Sequence, residues 1–269
     1  MIKLSELSAD APSTVNRDEI KKETKRLQEG IAILQERLYA EKKQSLLIVL
    51  QGMDSAGKDG TTEKVFRRCT PVGVSTKSYK KPTEEEFAHD FLWRVHKETP
   101  GHGEIKVFIR SHYEDVLIQK VHNWIDEERV QLRYKAINIF EELIQKDANT
   151  TVLKIFLHLS KERQEEKLKE RMQQSQKFWK HNDNDWKERE HWDDYWHAYE
   201  AVFENCNQPA WNVVPANQRW YRNYLACKLV YETLEKMAPQ YPPLKQRCFR
   251  QALGFCVEQS ILKTHKPNQ

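Results

Sequence analysis

No apolar run in this chain approaches the roughly 20 residues that a membrane-crossing helix needs, so nothing in it reads as a transmembrane segment. The stretch from Met1 to Val15 has no basic segment leading into an apolar one, and no signal peptide is expected there. The five cysteines (Cys69, Cys206, Cys227, Cys248 and Cys256) are scattered and form no C-x-x-C pair. That excludes a disulfide frame and a zinc site and favours a reduced, cytoplasmic compartment. Strong charge of one sign is missing too. A net +4 over 269 residues is too weak to announce a polyanion. Any such partner must be met by local basic faces, and nucleic acid is not favoured. No internal repeat is visible.

What is present is a charged fraction of 31% beside a hydrophobic fraction of 39%, which suits one core wrapped in long solvated helices. Residues 18–43 place Leu27, Ile31, Leu34 and Leu38 in steps of four and three, the stripe of an amphipathic helix. Leu46 to Leu50 is a continuous apolar run, as in a strand buried on both faces. Further strands are expected at Val72–Tyr79, Ile105–Ile109, Thr151–Leu159 and Trp211–Val214. Helices are expected from about Lys58 and near Glu84–Lys97, Glu127–Lys146, Lys161–Gln173 and Gln218–Met237. This alternation predicts an α/β domain of three layers, with a five-stranded parallel sheet between helices. The segment Gln174–Trp196 is rich in charged residues, Trp and His and poor in aliphatic ones, so it is expected outside the sheet core, as a lid or surface excursion. The expected organisation is an N-terminal arm and helix over 1–44, a core over 45–237 with a lid near 161–196, and an extension over 238–269 without assignable chemistry.

The sharpest signal follows the first strong strand. Gly52, Gly57 and Lys58 satisfy G-x4-G-K, and Gly52-Met53-Asp54-Ser55-Ala56-Gly57-Lys58-Asp59-Gly60-Thr61 reads as a phosphate-binding loop. Its glycines let backbone N–H groups point inward, the next helix adds its positive end, and Lys58 bridges phosphate oxygens. Asp59 stands where such loops usually carry Ser or Thr, and Asp54 sits inside the loop. A carboxylate there would repel phosphate unless a cation intervened, so Asp54 reads as a metal ligand.

Ile105 to Ile109 runs into Arg110-Ser111-His112-Tyr113-Glu114-Asp115, which should face the phosphate loop, because ligands gather beyond the carboxyl ends of parallel strands. Arg110 offers a fork to a phosphoryl group, and Glu114 or Asp115 could steer a nucleotide or a hydrated metal. Taken alone, a salt-bridged loop explains this segment equally well. His112 reads as a structural hydrogen-bonder, since phosphoryl transfer relies on positioning and charge rather than a base. Arg163, Lys167 and Arg171 lie at i, i+4 and i+8, and Lys177 and Lys180 continue the basic series. They could track a flexible polyanion or simply pair with Glu162, Glu165, Glu166 and Glu170. His181, Asp183, Asp185 and His191 match no familiar ligand spacing and read as a solvated charge run.

Several motifs together resemble the polyphosphate kinase 2 family: Leu50 through Gly60, Lys80-Lys81-Pro82-Thr83, Asp90-Phe91-Leu92-Trp93-Arg94, Arg110 through Asp115, and Pro215-Ala216-Asn217 with Trp220-Tyr221-Arg222. The resemblance runs from about Asp18 to Met237. It implies a P-loop kinase fold with a helical lid over a polyphosphate channel. The implied activity is Mg2+-dependent transfer (Mn2+ substituting) from inorganic polyphosphate to adenine nucleotides, with guanine nucleotides left open and a homodimer or homotetramer as the assembly. By position, Asp54, Lys58, Arg110 and Glu114 would be catalytic. Gly52, Ser55, Ala56, Gly57, Lys58, Asp59, Gly60, Thr61, Lys80, Arg110, Arg171, Lys177 and Lys180 would bind phosphate. Asp54, Lys81, Arg94, His112, Tyr113, Glu114 and Arg133 would bind nucleotide, and Asp54 the metal. The Ser-His-Tyr-Glu-Asp motif looks like class III members, which phosphorylate both AMP and ADP, with Glu114 where ADP-only members carry Asn. Two positions depart from the pattern: Ile109, where the family usually has Asp or Asn, and Phe178, where a basic residue is common. An ATP-dependent nucleoside monophosphate kinase and a catalytically silent polyphosphate- or nucleotide-binding protein are the rival readings.

Overall fold

The computed structural model describes residues 2–244. Helix α1 (Arg17–Glu41) opens on Asn16, whose side chain accepts from the amides of Asp18 and Glu19 and so satisfies two N–H groups at the helix start. Then follow β1 (Ser45–Gly52), α2 (Lys58–Val65), β2 (Val74–Ser78), α3 (Glu84–Phe87), α4 (Trp93–His96), β3 (Ile105–Ile109), α5 (Glu114–Val121) and α6 (Glu127–Lys146). The second half holds β4 (Thr150–His158), α7 (Lys161–Gln173), a 3-10 turn (Ser175–Lys180), α8 (Asn184–Glu190), α9 (Trp192–Asn205), β5 (Trp211–Pro215) and α10 (Arg219–Met237). Among the described residues, no helix is long and apolar enough to cross a membrane.

The five strands form one sheet in the order β2-β3-β1-β4-β5, with every neighbouring pair parallel. β1 is apolar throughout because both of its faces are covered. Leu47 and Val49 face one core with Phe108, Val152 and Phe156, under α5, α6 and α9. Leu46, Ile48 and Leu50 face the other with Val107 and Ile155. There α1 packs on α10, bringing Leu27, Ile31 and Leu38 against the core that holds Val230 and Leu234. The register sets Leu50 opposite Ile109 and Gly52 opposite Leu157. The loop after β1 and the first residue after β3 therefore emerge side by side at the carboxyl edge.

All five strands stand where the apolar runs placed them, with β2 trimmed to Val74–Ser78. Three expectations change. Glu84–Lys97 is two single-turn helices, because the Asp90 carboxylate accepts from the Leu92 amide and turns the chain between them. Glu114 and Asp115, for which a salt-bridged loop was one reading, open a helix that runs to Val121. Gln174–Trp196 is not wholly outside the core. The 3-10 turn and α8 bury no residue, whereas α9 begins at the buried Trp192 and carries Tyr199, Val202 and Phe203 onto the sheet beside Phe156. Most of the expected extension over 238–269 lies outside the described residues.

Candidate active site

Gly52 leaves β1 at φ +146°, and Gly57 enters α2 at φ +97°. A Cβ on Gly57 would sit 2.1 Å from Arg222 Nη1, so glycine is required there twice over, by conformation and by space. That guanidinium donates to the Ala56 carbonyl at 2.9 Å and braces the loop from α10. Ser55 and Arg110 hold left-handed backbone at φ +66° and +61°. A side-chain-bearing residue in this region costs of order 1–3 kcal/mol, and such strain concentrates at ligand clamps.

Arg110 Nη2 donates to Asp54 Oδ1 at 2.5 Å across the gap between the two strand ends. Lys58 Nζ donates to the carbonyls of Gly52 (2.6 Å) and Met53 (3.2 Å). Burial works to raise the Asp54 carboxyl, but the charges of Arg110 and Lys58 outweigh it and hold the group below its usual value. For Glu114 burial dominates. Arg110 and Lys58 offset only part of it, Asp54 adds to it, and this carboxyl stays above its usual value. Burial and the neighbouring Arg110 depress the Lys58 ammonium.

Asp54 and Arg110 stand where two cavities meet. The larger, about 970 Å³, receives Lys58, Lys64 and Arg67 from the loop and α2, and Arg163, Lys167 and Arg171 from α7. Lys177 and Lys180 of the 3-10 turn, Arg219 and Arg222 of α10, and Arg110 complete eleven cations against five carboxylates. The smaller, about 410 Å³, is lined by four cations and five carboxylates, with Lys80, Lys81, Arg94 and Glu114 beside Tyr195 and Tyr199. One chamber suits a dense polyanion and the other a ligand of modest charge. α7 lies over the loop, with Gln164 Nε2 donating to the Asp54 carbonyl at 3.0 Å and Lys167 Nζ to that of Ser55 at 3.5 Å. Burial, then Arg222, Arg163 and Arg219, push the Lys167 ammonium down to about 7. Burial with Arg219 takes Arg222 down to about 10.

Most of the residues expected to bind phosphate line the larger chamber: Ser55, Gly57, Lys58, Asp59, Gly60, Arg110, Arg171, Lys177 and Lys180. Gly52 and Lys80 line the smaller one. Ala56 is fully buried, and Thr61 is buried with its hydroxyl donating to the Gly57 carbonyl; these two support the loop without facing either chamber.

The nucleotide-binding role that the resemblance implies for His112 and Tyr113 is overturned, while the reading of His112 as a structural hydrogen-bonder holds. Both side chains are fully buried beneath the site. Tyr113 donates to Glu141 at 2.8 Å, and His112 Nε2 lies 3.2 Å from the same carboxylate. Lys154 of β4 closes the cluster at 2.8 Å from Glu141. Neither ring can reach a nucleotide. Arg133 donates to the Asp115 carbonyl and Gln119 Oε1, and it lines a third cavity rather than either chamber at Asp54. Arg94 lines the smaller chamber but is held by Asp115 at 3.0 Å and by the Lys80 carbonyl.

A sequence model described as polyphosphate kinase 2 matches residues 14–242. This chain belongs to the polyphosphate kinase 2 family. An AMP/ADP-polyphosphate phosphotransferase of Meiothermus ruber is 47% identical over 211 residues, covering 78% of this chain and 79% of the relative. An ADP-polyphosphate phosphotransferase of Rhodopseudomonas palustris is 35% identical over 228 residues, covering 80% and 78%. A crystal structure of polyphosphate kinase 2 from Arthrobacter aurescens TC1 superposes with a TM-score of 0.87 at 36% identity, covering 92% of each chain.

For a polyphosphate kinase 2 site, the donor set fits a divalent cation only in company with substrate. Among the described residues, no group of three or more His, Cys, Asp and Glu side chains could hold a metal alone. Asp54 has Oδ1 committed to Arg110, while no hydrogen bond among these residues reaches its Oδ2. One carboxylate oxygen completed by phosphate oxygens and water is a usual Mg2+ environment. Ile109 packs its apolar side chain against the core and lines the cation-rich chamber, where it can neither ligate nor accept a proton. Arg222 and Arg219 were missed from sequence as chamber residues. Trp220-Tyr221-Arg222 stood out as a motif, but nothing in it said that helical phase would aim the arginine under the loop. Asp185 was set aside as solvated charge, yet it lines both chambers and holds Arg171 at 2.6 Å.

Proposed function

We propose that this protein transfers phosphoryl groups from inorganic polyphosphate to AMP and ADP, giving ADP and ATP in a reversible reaction aided by Mg2+ or Mn2+. The observation that carries the reading is the junction at Asp54 and Arg110 between a strongly cationic chamber and a nearly charge-balanced one. Polyphosphate takes the first, along Arg171, Lys177 and Lys180 towards Lys58, and the acceptor nucleotide takes the second. The names of the Meiothermus ruber and Rhodopseudomonas palustris relatives support these substrates.

At the junction, Lys58 and Arg110 stabilise charge on the equatorial oxygens of the moving phosphoryl group, and the loop amides and the start of α2 hold the phosphates in line. Asp54 is kept ionised by the same two cations and orients the acceptor phosphate oxygen. Asp54 would hold a divalent cation, which would supply neutralisation of the phosphate charge. Glu114, whose carboxyl burial holds above its usual value, borders the acceptor side. The reading extends to guanine nucleotides as secondary acceptors, a cytoplasmic location and a homodimer or homotetramer, which rest on the family resemblance.

The deciding experiment mixes purified protein, long-chain polyphosphate, Mg2+ and AMP, and follows ADP and ATP with time. ADP first and ATP later is the expected result. ATP formed only from added ADP would limit the acceptor to the diphosphate. Product from ATP and AMP but none from polyphosphate would replace this reading by an ATP-dependent monophosphate kinase. Polyphosphate binding without product would point to a silent binding protein and single out Ile109.

A further inference from the structure

The cation-rich chamber does not end at the phosphate loop. Past Lys64, Arg163 and Arg219, which line it, the surface continues into a second groove of about 840 Å³ with the same three cations in its wall. The far wall is α1, where Arg17, Lys21 and Lys25 lie at i, i+4 and i+8 and so share one face over about 12 Å of helix. Asp10, Glu162 and Glu166 are the groove's only acidic lining among the described residues, giving six cations against three carboxylates. Ser160, the N-cap of α7, and Gln218, the N-cap of α10, also line it. The positive ends of two helices of 13 and 19 residues thus open on the same groove. Lys21 and Lys25 are exposed, and Lys21 pairs with Asp18 at 2.9 Å in the open, where such a pair is worth little and exchanges readily for another anion.

We propose that this groove is a second binding segment for inorganic polyphosphate, which carries the polymer beyond the reaction junction and makes the enzyme sensitive to chain length. The assignment rests on the function proposed above. A short chain held by Lys58, Arg171, Lys177 and Lys180 does not reach α1. A long chain lies across both segments, and the contacts on α1 add affinity through an effective concentration already set by the first segment. Because the reacting phosphates never touch α1, these contacts act on KM and leave kcat alone.

The test is the double variant Lys21→Glu/Lys25→Glu, assayed with AMP, Mg2+ and either a chain of several hundred phosphates or tripolyphosphate. A control, Lys22→Glu/Lys43→Glu, changes the net charge equally at positions that do not line the groove. The expected result is a KM for the long chain raised by about tenfold, as for lost contacts of a charged rim. The KM for tripolyphosphate, kcat with either donor and the melting temperature stay put, and the control changes neither KM. An unchanged KM for the long chain overturns the groove alone, as does an equal rise for both donors or an equal rise in the control. Wild-type protein that uses neither donor overturns the function proposed above, and the groove with it.

Discussion

Asp54 and Glu114 face the same two cations and are pushed in opposite directions, Asp54 below its usual value and Glu114 above. Only Asp54 is in contact with Arg110, and its ionised form is what the site is built to hold. Asp54→Asn keeps the shape and removes the charge, so turnover is expected to fall about 10²–10³-fold or more, the scale of losing one preorganised electrostatic contact. Arg110 is 36% exposed and keeps access to water, so the melting temperature should change by only a few degrees. Steady-state rates beside a thermal melt check both halves. Lys167 gives a second prediction. Burial first, then Arg222, Arg163 and Arg219, depress it while Glu170 opposes them, and its value near 7 leaves much of it neutral at physiological pH. Polyphosphate brings negative charge and restores the proton. Affinity should therefore be full below about pH 7 and weaken as pH rises above it, by at most about tenfold per unit for one linked proton. Calorimetry in two buffers of different ionisation enthalpy should show proton uptake near pH 8 that Lys167→Arg lacks. Gly57→Ala would force a Cβ into Arg222 and is expected to cost more than about 1 kcal/mol, read by denaturant unfolding. At this scale the meeting of Asp54, Lys58 and Arg110 at one sheet edge was legible, because loop spacing and strand ends are local signals. The sequence could not reveal Arg222, which braces a carbonyl 166 positions away. The family resemblance misplaced His112 and Tyr113 at the nucleotide, whereas their side chains descend to Glu141, as the reading of His112 as a structural hydrogen-bonder implies.

Among elements, the contrast that matters lies between Ser175–Glu190 and α9. The 3-10 turn and α8 bury no side chain, and their tie to α7 is largely polar: Arg171 to Asp185 and to the Lys180 carbonyl, and Arg189 to Glu165. α9 is anchored by Trp192, Tyr199, Val202 and Phe203. Few apolar contacts and exposed backbone mark a segment that opens at low cost. Amides of 175–190 should therefore exchange with deuterated solvent much faster than those of 198–204. Long-chain polyphosphate should slow the first group and leave the second alone, since Lys177 and Lys180 line the chamber and α9 supports it from behind. Equal protection of both groups in the free protein would remove the case for a lid. The strands were legible because buried parallel strands are continuous apolar runs. α9 was not, because aromatic residues carry its buried stripe inside a stretch whose charge dominates the composition. The break between α3 and α4 was hidden for another reason: a single Asp90 turn interrupts a pattern that otherwise reads as one helix.

At the scale of the whole molecule, net charge conceals what charge distribution does. The chain has 44 basic and 40 acidic residues, and the larger chamber takes eleven of the first and five of the second. The larger chamber therefore concentrates a positive field that the small net charge of the whole chain hides. The acceptor chamber, with four cations and five carboxylates, has no such field. The two substrates must then respond differently to salt. Binding a polyanion in the first chamber releases counterions, as for nucleic acid, and its affinity falls as a power of salt concentration. Binding of AMP or ADP in the second depends on few charges screened at short range. Raising monovalent salt from 50 to 500 mM should therefore lift the KM for long-chain polyphosphate by about tenfold or more. The KM for AMP at saturating polyphosphate should move by less than about threefold. A parallel rise of both constants would mean that the nucleotide shares the cationic chamber, and the division of labour at Asp54 and Arg110 would have to be redrawn.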